Sequence, residues 1–505
     1  MRPDRRKFIQ QTICAALGGA SVYSALGQLQ LLQAATRANY TFPPGDYKAL
    51  VCVFLYGGND SFNTVVPYTL SAYNAYYGGT GVRPKLAIPR ANLLPLTDAA
   101  NTSADGIQYA LHPSLTGLQT LFNGGQAAIV ANVGTLVQKT TQQNAWDAMN
   151  NNSGFALPPE LFSHADQAAY WQSSPPTNQP LTGWGGRIAD LIASANTGGA
   201  PIMTGLNGQD AFMRGLNVNG YTMNTVPYGA IELDFPYDAS GPGLQTPFDA
   251  LHLDGTQANA LERAYARTMN HSTSTASVMN AAMGLKDFSS SFPNSVGDLD
   301  AQLQTVAQLI YAANHPGSSG YSGLQRQVFF VSTGGFDTHS DELAAHGDPT
   351  TPGVLDLVSR SLKGFYDALA SVGLQNVATA FTASDFGRTL TNNDNGTDHG
   401  WGGHHFVVGG AVQGGKFYGN GAGFSPQANF GTVMPSLVNP NTYDAITGMS
   451  LNLNDPGDGY GRLIPTTSVD QYAATLAKWF GLSDTDIGLI FPNLGNFDTK
   501  NLGFV

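Results

Sequence analysis

The chain has 505 residues, room for one large α/β domain with insertions or for two domains. Charged residues make up only 11% and the formal net charge is −12, which sets aside nucleic acid as the main partner, because phosphate neutralisation needs basic patches. Hydrophobic residues at 42% suffice for a sizeable core, and with only two cysteines, Cys14 and Cys52, no disulfide is expected in the mature chain.

Residues 1–40 read as an address. Arg5 and Arg6, followed by Phe8 and Ile9, resemble the twin-arginine export signal of bacteria, and a weakly hydrophobic Ala/Gly/Leu stretch follows over 12–32. Cleavage falls near residues 34–38 on this reading. The partner implied is the twin-arginine machinery, which carries folded proteins, and the location is periplasmic or secreted. An uncleaved anchor is the alternative, against which Gln28, Gln30 and Gln33 count. No later segment reaches the ~18 apolar residues that a membrane span requires.

Residues 41–505 form the folded part. The continuous apolar run 50–56, ending in Gly57, Gly58, Asn59 and Asp60, predicts a buried parallel strand with a glycine-rich turn. Cys52 inside it reads as structural rather than catalytic. A short helix is predicted over 115–122, with Ser114 as its cap, then a strand over 127–133. Short helices follow over 165–171 and 185–195. Residues 200–255, rich in Gly, Asn and Pro, predict an irregular or β insertion. Helices are expected over 258–268 and 299–313, and a strand over 327–333 runs into G-G-F-D-T-H. An amphipathic helix over 354–372 carries Leu355, Val358, Leu362, Phe365 and Leu369 at helical spacing. Strands over 376–382 and 405–412 flank S-D-F-G-R-T and D-H-G-W-G-G-H. A second loop-rich insertion covers 420–458. Ser468 caps a final helix through residue 480, stopped by Gly481.

Strands alternating with helices predict an α/β fold with a mostly parallel central sheet and helices on both faces. Ligands in such folds bind beyond the carboxyl ends of the strands, where Asp60, Asp337 and Asp385 all fall. Five of the ten histidines lie between His339 and His405. Asp337 and His339, two apart on an extended segment, point the same way and offer a mixed oxygen and nitrogen set. Arg388 reads either as a bidentate fork for an oxyanion or as an ion-pair partner of Asp385. Asp60 reads as a ligand or as a turn and helix-cap residue. His404 and His405 open a strand and face opposite ways. His346 sits in a polar stretch and reads as solvated.

The motifs G-G-N-D-S-F-N-T-V-V-P at 57–67, G-G-F-D-T-H at 334–339, S-D-F-G-R-T at 384–389 and G-T-D-H-G-W-G-G-H-H at 396–405 resemble the domain-of-unknown-function family 1501. That family is grouped with the alkaline phosphatase and sulfatase-like superfamily. The resemblance implies an alkaline phosphatase-like fold and one or two divalent metal ions (Zn, Mn, Fe, Ca or Mg). It implies Asp60, Asp337, His339, Asp385 and His399 as ligands, with His404 in reserve for His399. The implied activity is hydrolysis of small or polymer-borne phosphate or sulfate esters. Two departures stand out: Phe386 follows Asp385 where alkaline phosphatases have a histidine ligand, and no sulfatase-type Cys-x-Pro-x-Arg is present. The nucleophile turn falls at 161–172, with Ser163 as candidate nucleophile or plain helix cap, Ser61 as a second candidate, and His164 as a contact to the substrate anion or leaving group. A non-catalytic exported protein that binds metal or polysaccharide is the competing class.

Overall fold

A computed structural model describes residues 33–505 apart from 36–37, 78–80, 98–106, 151–152, 177–180, 209, 233–244, 252–256, 294–297, 420–433 and 436. The twin-arginine motif and Cys14 lie outside the described residues, as do parts of the 200–255 and 420–458 stretches. Among the described residues no helix is long and apolar enough to cross a membrane.

The core is one sheet built from β1 (Lys48–Leu55), β2 (Ala127–Gly134), β3 (Met203–Gly205), β4 (Tyr221–Thr222), β5 (Arg326–Thr333), β6 (Ala378–Ser384), β7 (Gly403–Val408), β8 (Phe417–Tyr418) and β9 (Thr467–Ser468). The order across it is β8-β2-β7-β6-β1-β5-β3-β4, with β9 beside β2. All neighbours are parallel except β7, which runs antiparallel to both β2 and β6. That reversal matters for the site. The start of β7 lies at the same sheet end as the carboxyl ends of β1, β5 and β6, so the segment before it joins their loops.

Continuous apolar runs form these strands because both faces are covered. Along β1, Val51, Val53 and Leu55 enter one core with Leu121 of α1 (Thr116–Asn123), Ile310 of α5 (Leu299–Asn314) and Phe365 of α6 (Val354–Ala370). Leu50, Cys52 and Phe54 enter the other, with Trp171 of α2 (His164–Ser173), Ile188 of α3 (Trp184–Ile192) and Leu476 of α7 (Val469–Phe480). The fold is α/β, mostly parallel, with helices on both faces. Each fully buried Val, Leu or Phe contributes about 1.5–3 kcal/mol relative to exposure. Burial also pushes the Cys52 thiol well above its ordinary value, consistent with a packing role.

Several boundaries differ from expectation. Ser114 does not cap α1, whose cap position is Leu115 with no side-chain bond. The stretch from 200 is not wholly an insertion, because β3 and β4 extend the main sheet at its edge. The helix expected over 258–268 continues as α4 (Ala260–Met283), of which only Ala266, Thr275, Ala276, Met279, Ala282 and Met283 are buried. At α7, Ser468 and Gln471 form a reciprocal capping box and Gly481 ends the helix in the left-handed region at φ 109°.

Candidate metal centre

Three loops leave the sheet at adjoining strand ends. Asp337 and His339 follow β5. Asp385 follows β6. His399 closes a hairpin of Arg388–Asn392 with Thr397–His399, in which Arg388 faces His399. A fourth element, the first turn of α2, brings in His164. One donor atom from each of His164, Asp337, His339 and His399 lies within 4.8 Å of all the others.

The ring tautomers follow from outer partners that can only accept. His164 Nδ1 donates to Asp385 Oδ2 at 2.7 Å, His339 Nδ1 to Asp398 Oδ1 at 3.1 Å and His399 Nδ1 to the Phe162 carbonyl at 2.7 Å. Each proton on Nδ1 leaves an Nε2 lone pair aimed inward, the arrangement that outer partners impose on metal-binding imidazoles. His339 and His399 then oppose two Nε2 lone pairs at 2.9 Å. Asp337 Oδ1 lies 3.3 Å from His164 Nε2, 3.1 Å from His339 Nε2 and 3.7 Å from His399 Nε2. Shielded from solvent, His164 Nε2 has no hydrogen bond. Unprotonated, these donors repel one another unless a cation sits among them; without a cation, a protonated ring pairs with the Asp337 carboxylate. A tetrahedral ion with bonds of ~2.0–2.1 Å holds its donors ~3.3 Å apart, close to these separations. The residues therefore fit a metal ion.

Asp337 and His339 are about half exposed, at 49% and 45%, so the centre opens to solvent. The Asp385 hydrogen bond raises His164 above its ordinary value. Burial would raise Asp337, but the Arg388 guanidinium outweighs it and keeps the carboxyl low. Desolvation lowers His399.

Residues 47–440 match the family described as Protein of unknown function (DUF1501). The chain belongs to the DUF1501 family. No curated protein matches it. Among solved structures, Ps i-CgsB in complex with k-i-k-neocarrahexaose is 10% identical, with 89% of this chain and 75% of that one covered and a TM-score of 0.31. The PsFucS1 sulfatase from Pseudoalteromonas sp. is 8% identical, with 79% and 68% covered and a TM-score of 0.25. The wild-type alkaline phosphatase PafA is 9% identical, with 68% and 63% covered and a TM-score of 0.22. Likeness at that level carries no argument, so the reading of this DUF1501 member rests on its own geometry.

That geometry corrects several sequence assignments. Asp337, His339 and His399 come together as expected. His164, expected to touch substrate, is the fourth inward donor. Asp385 stands one shell out, its Oδ2 accepting from His164 and from the Gly57 amide at 3.0 Å. Asp60 is elsewhere: it caps the short helix Ser61–Thr64 and pairs with Arg83, Oδ2 to Nη1 at 2.5 Å and Oδ1 to Nη2 at 3.0 Å. His404 is also elsewhere, its Nδ1 accepting from the Asn132 amide at 3.0 Å and its ring edge-on to Phe62. Its neighbour His405 turns the other way, against Trp171 and Tyr472, as the strand alternation requires.

Arg388 is not a free fork and does not pair with Asp385. It is fully buried. Its Nε donates to Thr397 Oγ1 at 2.8 Å, Nη1 to the Gly57 carbonyl and Asp337 Oδ1 at 2.9 Å each, and Nη2 to the Thr397 carbonyl. Its task in this DUF1501 chain is to hold Asp337. Ser163 occupies the cap position of α2 without capping it; its hydroxyl donates instead to Asp166 Oδ2 at 2.5 Å. Ser61 Oγ accepts from the His404 amide at 2.6 Å, which places it with the Asp60 group. His346, far from being solvated, is buried with both ring nitrogens unpartnered. Phe386, in place of a histidine ligand, packs its ring 4.7 Å from that of His164 and 4.9 Å from that of His399.

Sequence reasoning missed Asp398 and the Phe162 carbonyl. Asp398 adjoins His399 in the quoted motif, and that adjacency was the available signal. Gly57 is where backbone freedom is needed. It holds φ +117°, and a Cβ there would stand 2.3 Å from the Asp337 amide nitrogen. Gly57→Ala is expected to cost about 1–3 kcal/mol in strain and to displace Asp337. A lower denaturation midpoint together with reduced bound metal is the expected result; an alanine variant unchanged in both would refute this account of the turn.

Proposed function

We propose that the chain is an exported, metal-dependent hydrolase of phosphate or sulfate esters, alkaline phosphatase-like in type, working in the periplasm or outside the cell. The observation that carries this is the convergence of three Nε2 lone pairs and one carboxylate oxygen on a solvent-facing point. The imidazole-rich set suits Zn²⁺, Mn²⁺ or Fe better than Ca²⁺ or Mg²⁺, which take oxygen ligands. One ion is proposed rather than two, because Asp60, Asp385 and His404 do not face the same point. Such an ion would supply Lewis acidity at the ester oxygen.

The chain's own residues supply the rest. Ser163, next to His164, is the proposed nucleophile: its Oγ forms the new bond to phosphorus or sulfur while the ester oxygen leaves. Asp166, 2.5 Å from that hydroxyl, receives its proton. The competing reading, a non-catalytic protein that binds metal or polysaccharide, draws on the engagement of Arg388 by protein groups.

Protein taken from its native host is expected to carry about one ion per chain, and His399→Ala about a tenth of that or less, by elemental analysis. A panel of phosphate and sulfate esters then reads turnover, with Ser163→Ala inactive but still metal-bound. Full metal with no turnover of any ester would favour the binding reading. No metal in the wild type, and no change in His399→Ala, would sink both.

A further inference from the structure

With Arg388 buried and engaged, none of the centre's own described residues offers a free guanidinium to an anionic substrate. We propose that Arg462 fills that role, as the residue that receives the tetrahedral oxyanion beside the centre; this rests on the metal reading above. Its backbone is tied to the hairpin that carries His399. Gly461 accepts at its carbonyl from the Leu390 amide at 2.8 Å, and Leu463 from the Gly402 amide at 2.9 Å. Arg462 lies between them.

Its side chain is placed by Phe162. The guanidinium carbon stands 4.4 Å from the centre of the Phe162 ring and 4.7 Å from that of Tyr460. Through its carbonyl, Phe162 orients the His399 ring at 2.7 Å. One residue thus holds a proposed metal ligand by its backbone and an arginine by its ring. It does so at φ +74°, where a bulky side chain is a genuine outlier, and strain of that kind gathers at functional sites.

The guanidinium is only partly engaged. Nη1 donates to Asp458 Oδ2 across a long 3.3 Å, and Nε is shielded with no partner. The side chain is 26% exposed. Stacking fixes the plane of an arginine while leaving donor edges free, the geometry in which two parallel N–H groups meet an oxyanion.

The test titrates metal-loaded protein with inorganic phosphate and, separately, inorganic sulfate, following binding by calorimetry. Arg462→Ala is expected to weaken phosphate binding by about tenfold or more, the loss that follows removal of a charge-assisted contact. Metal content stays unchanged. Arg462→Lys keeps the charge but not the fork, and serves if the alanine variant folds poorly; a loss of affinity with the fold intact supports the proposal. Unchanged affinity in a folded, metal-loaded variant overturns it. If the wild type takes up no metal, the metal reading fails by itself. The same titration on metal-free protein then judges Arg462: weaker phosphate binding in the variant retains the proposal, and no binding by the wild type, or equal binding by both, overturns it.

Discussion

Asp60→Ala is expected to destabilise the protein by about 3–5 kcal/mol, the cost of leaving one member of a buried ion pair without its partner. Asp60 and Arg83 are both fully buried and make two short contacts. The remaining Arg83 donors go to the carbonyls of Leu390 and Thr389, each at 2.7 Å, and to the Tyr76 hydroxyl at 3.2 Å, so the cation could not turn to solvent when Asp60 is lost. Burial alone would raise the Asp60 carboxyl. The Arg83 charge and a hydrogen bond from Glu342 reverse that and hold it at about 2. Glu342 is driven the other way, to about 9, by burial and by the Asp60 charge, so it is protonated at neutral pH. Replacing Asp60 and Arg83 together by apolar residues of similar volume is expected to cost less than the single change, a coupling that a double-mutant cycle measures by denaturant unfolding. The same variants separate the two readings of Asp60. A folded Asp60→Ala fraction that still carries metal assigns the residue to the scaffold, whereas loss of metal at unchanged stability would return it to the centre.

The fate of Asp60 marks where the sequence stops being legible. G-G-N-D-S at a strand end is equally a ligand turn and a helix cap, and Arg83, 23 positions on in irregular chain, carries no local sign of its partner. The strands were legible because burial on both faces demands uninterrupted apolar runs, and strand ends are where chemistry collects. Asp337 and His339 followed from that rule, and His399 from the family resemblance. His164 did not, because a histidine in a helix's first turn looks the same whether it faces solvent or a metal. Only the tertiary approach of Asp385 fixes its ring. The length of α4 was missed for a related reason. Its first half is largely exposed, so no apolar period marks it, and regular burial begins only near Thr275. His346 misled in the opposite sense: polar neighbours in sequence said nothing about the buried His112 ring lying 5.9 Å away.

Buried histidines govern the expected response to acid. Desolvation depresses His112 to about 3, His346 to about 4, His404 to about 4 and His405 to about 3, from an ordinary 6.5. Nearby charges act in both directions. Asp60 favours protonation of His112, His346 and His404, Asp348 favours that of His112, and Arg83 and Arg388 oppose that of His346. His346 and His404 in turn oppose protonation of His112 and His405. A histidine with a depressed folded value adds stability that is present above 6.5 and lost as the pH falls toward that value. Each costs about 1.4 kcal/mol per pH unit in this window, and the four together about 5–6. Several carboxyls work in the opposite sense, among them Asp210, Asp298 and Asp455, each raised chiefly by burial. Glu342, raised to about 9, and Asp470, raised to about 6, contribute stability that is lost as the pH rises. Near pH 5 Glu342 and Asp470 alone offset roughly two of the four histidines, leaving a net fall of at most about 3 kcal/mol per unit of acidification. Total stability is typically about 5–15 kcal/mol, so a value at the low end of that range would be exhausted about two units below pH 6. Between 6.5 and 9 Glu342 is the main contributor, and His164, raised by its Asp385 hydrogen bond, acts in the same sense, so stability there is expected to decline with rising pH by at least about 1.4 kcal/mol per unit. Denaturant unfolding of metal-free protein across this range tests both limbs without the confounding release of metal. His405→Gln should make the acid limb shallower by one proton. A stability that stays level from pH 6.5 to 4.5 would mean that these rings already carry protons, or reach solvent, in the folded state.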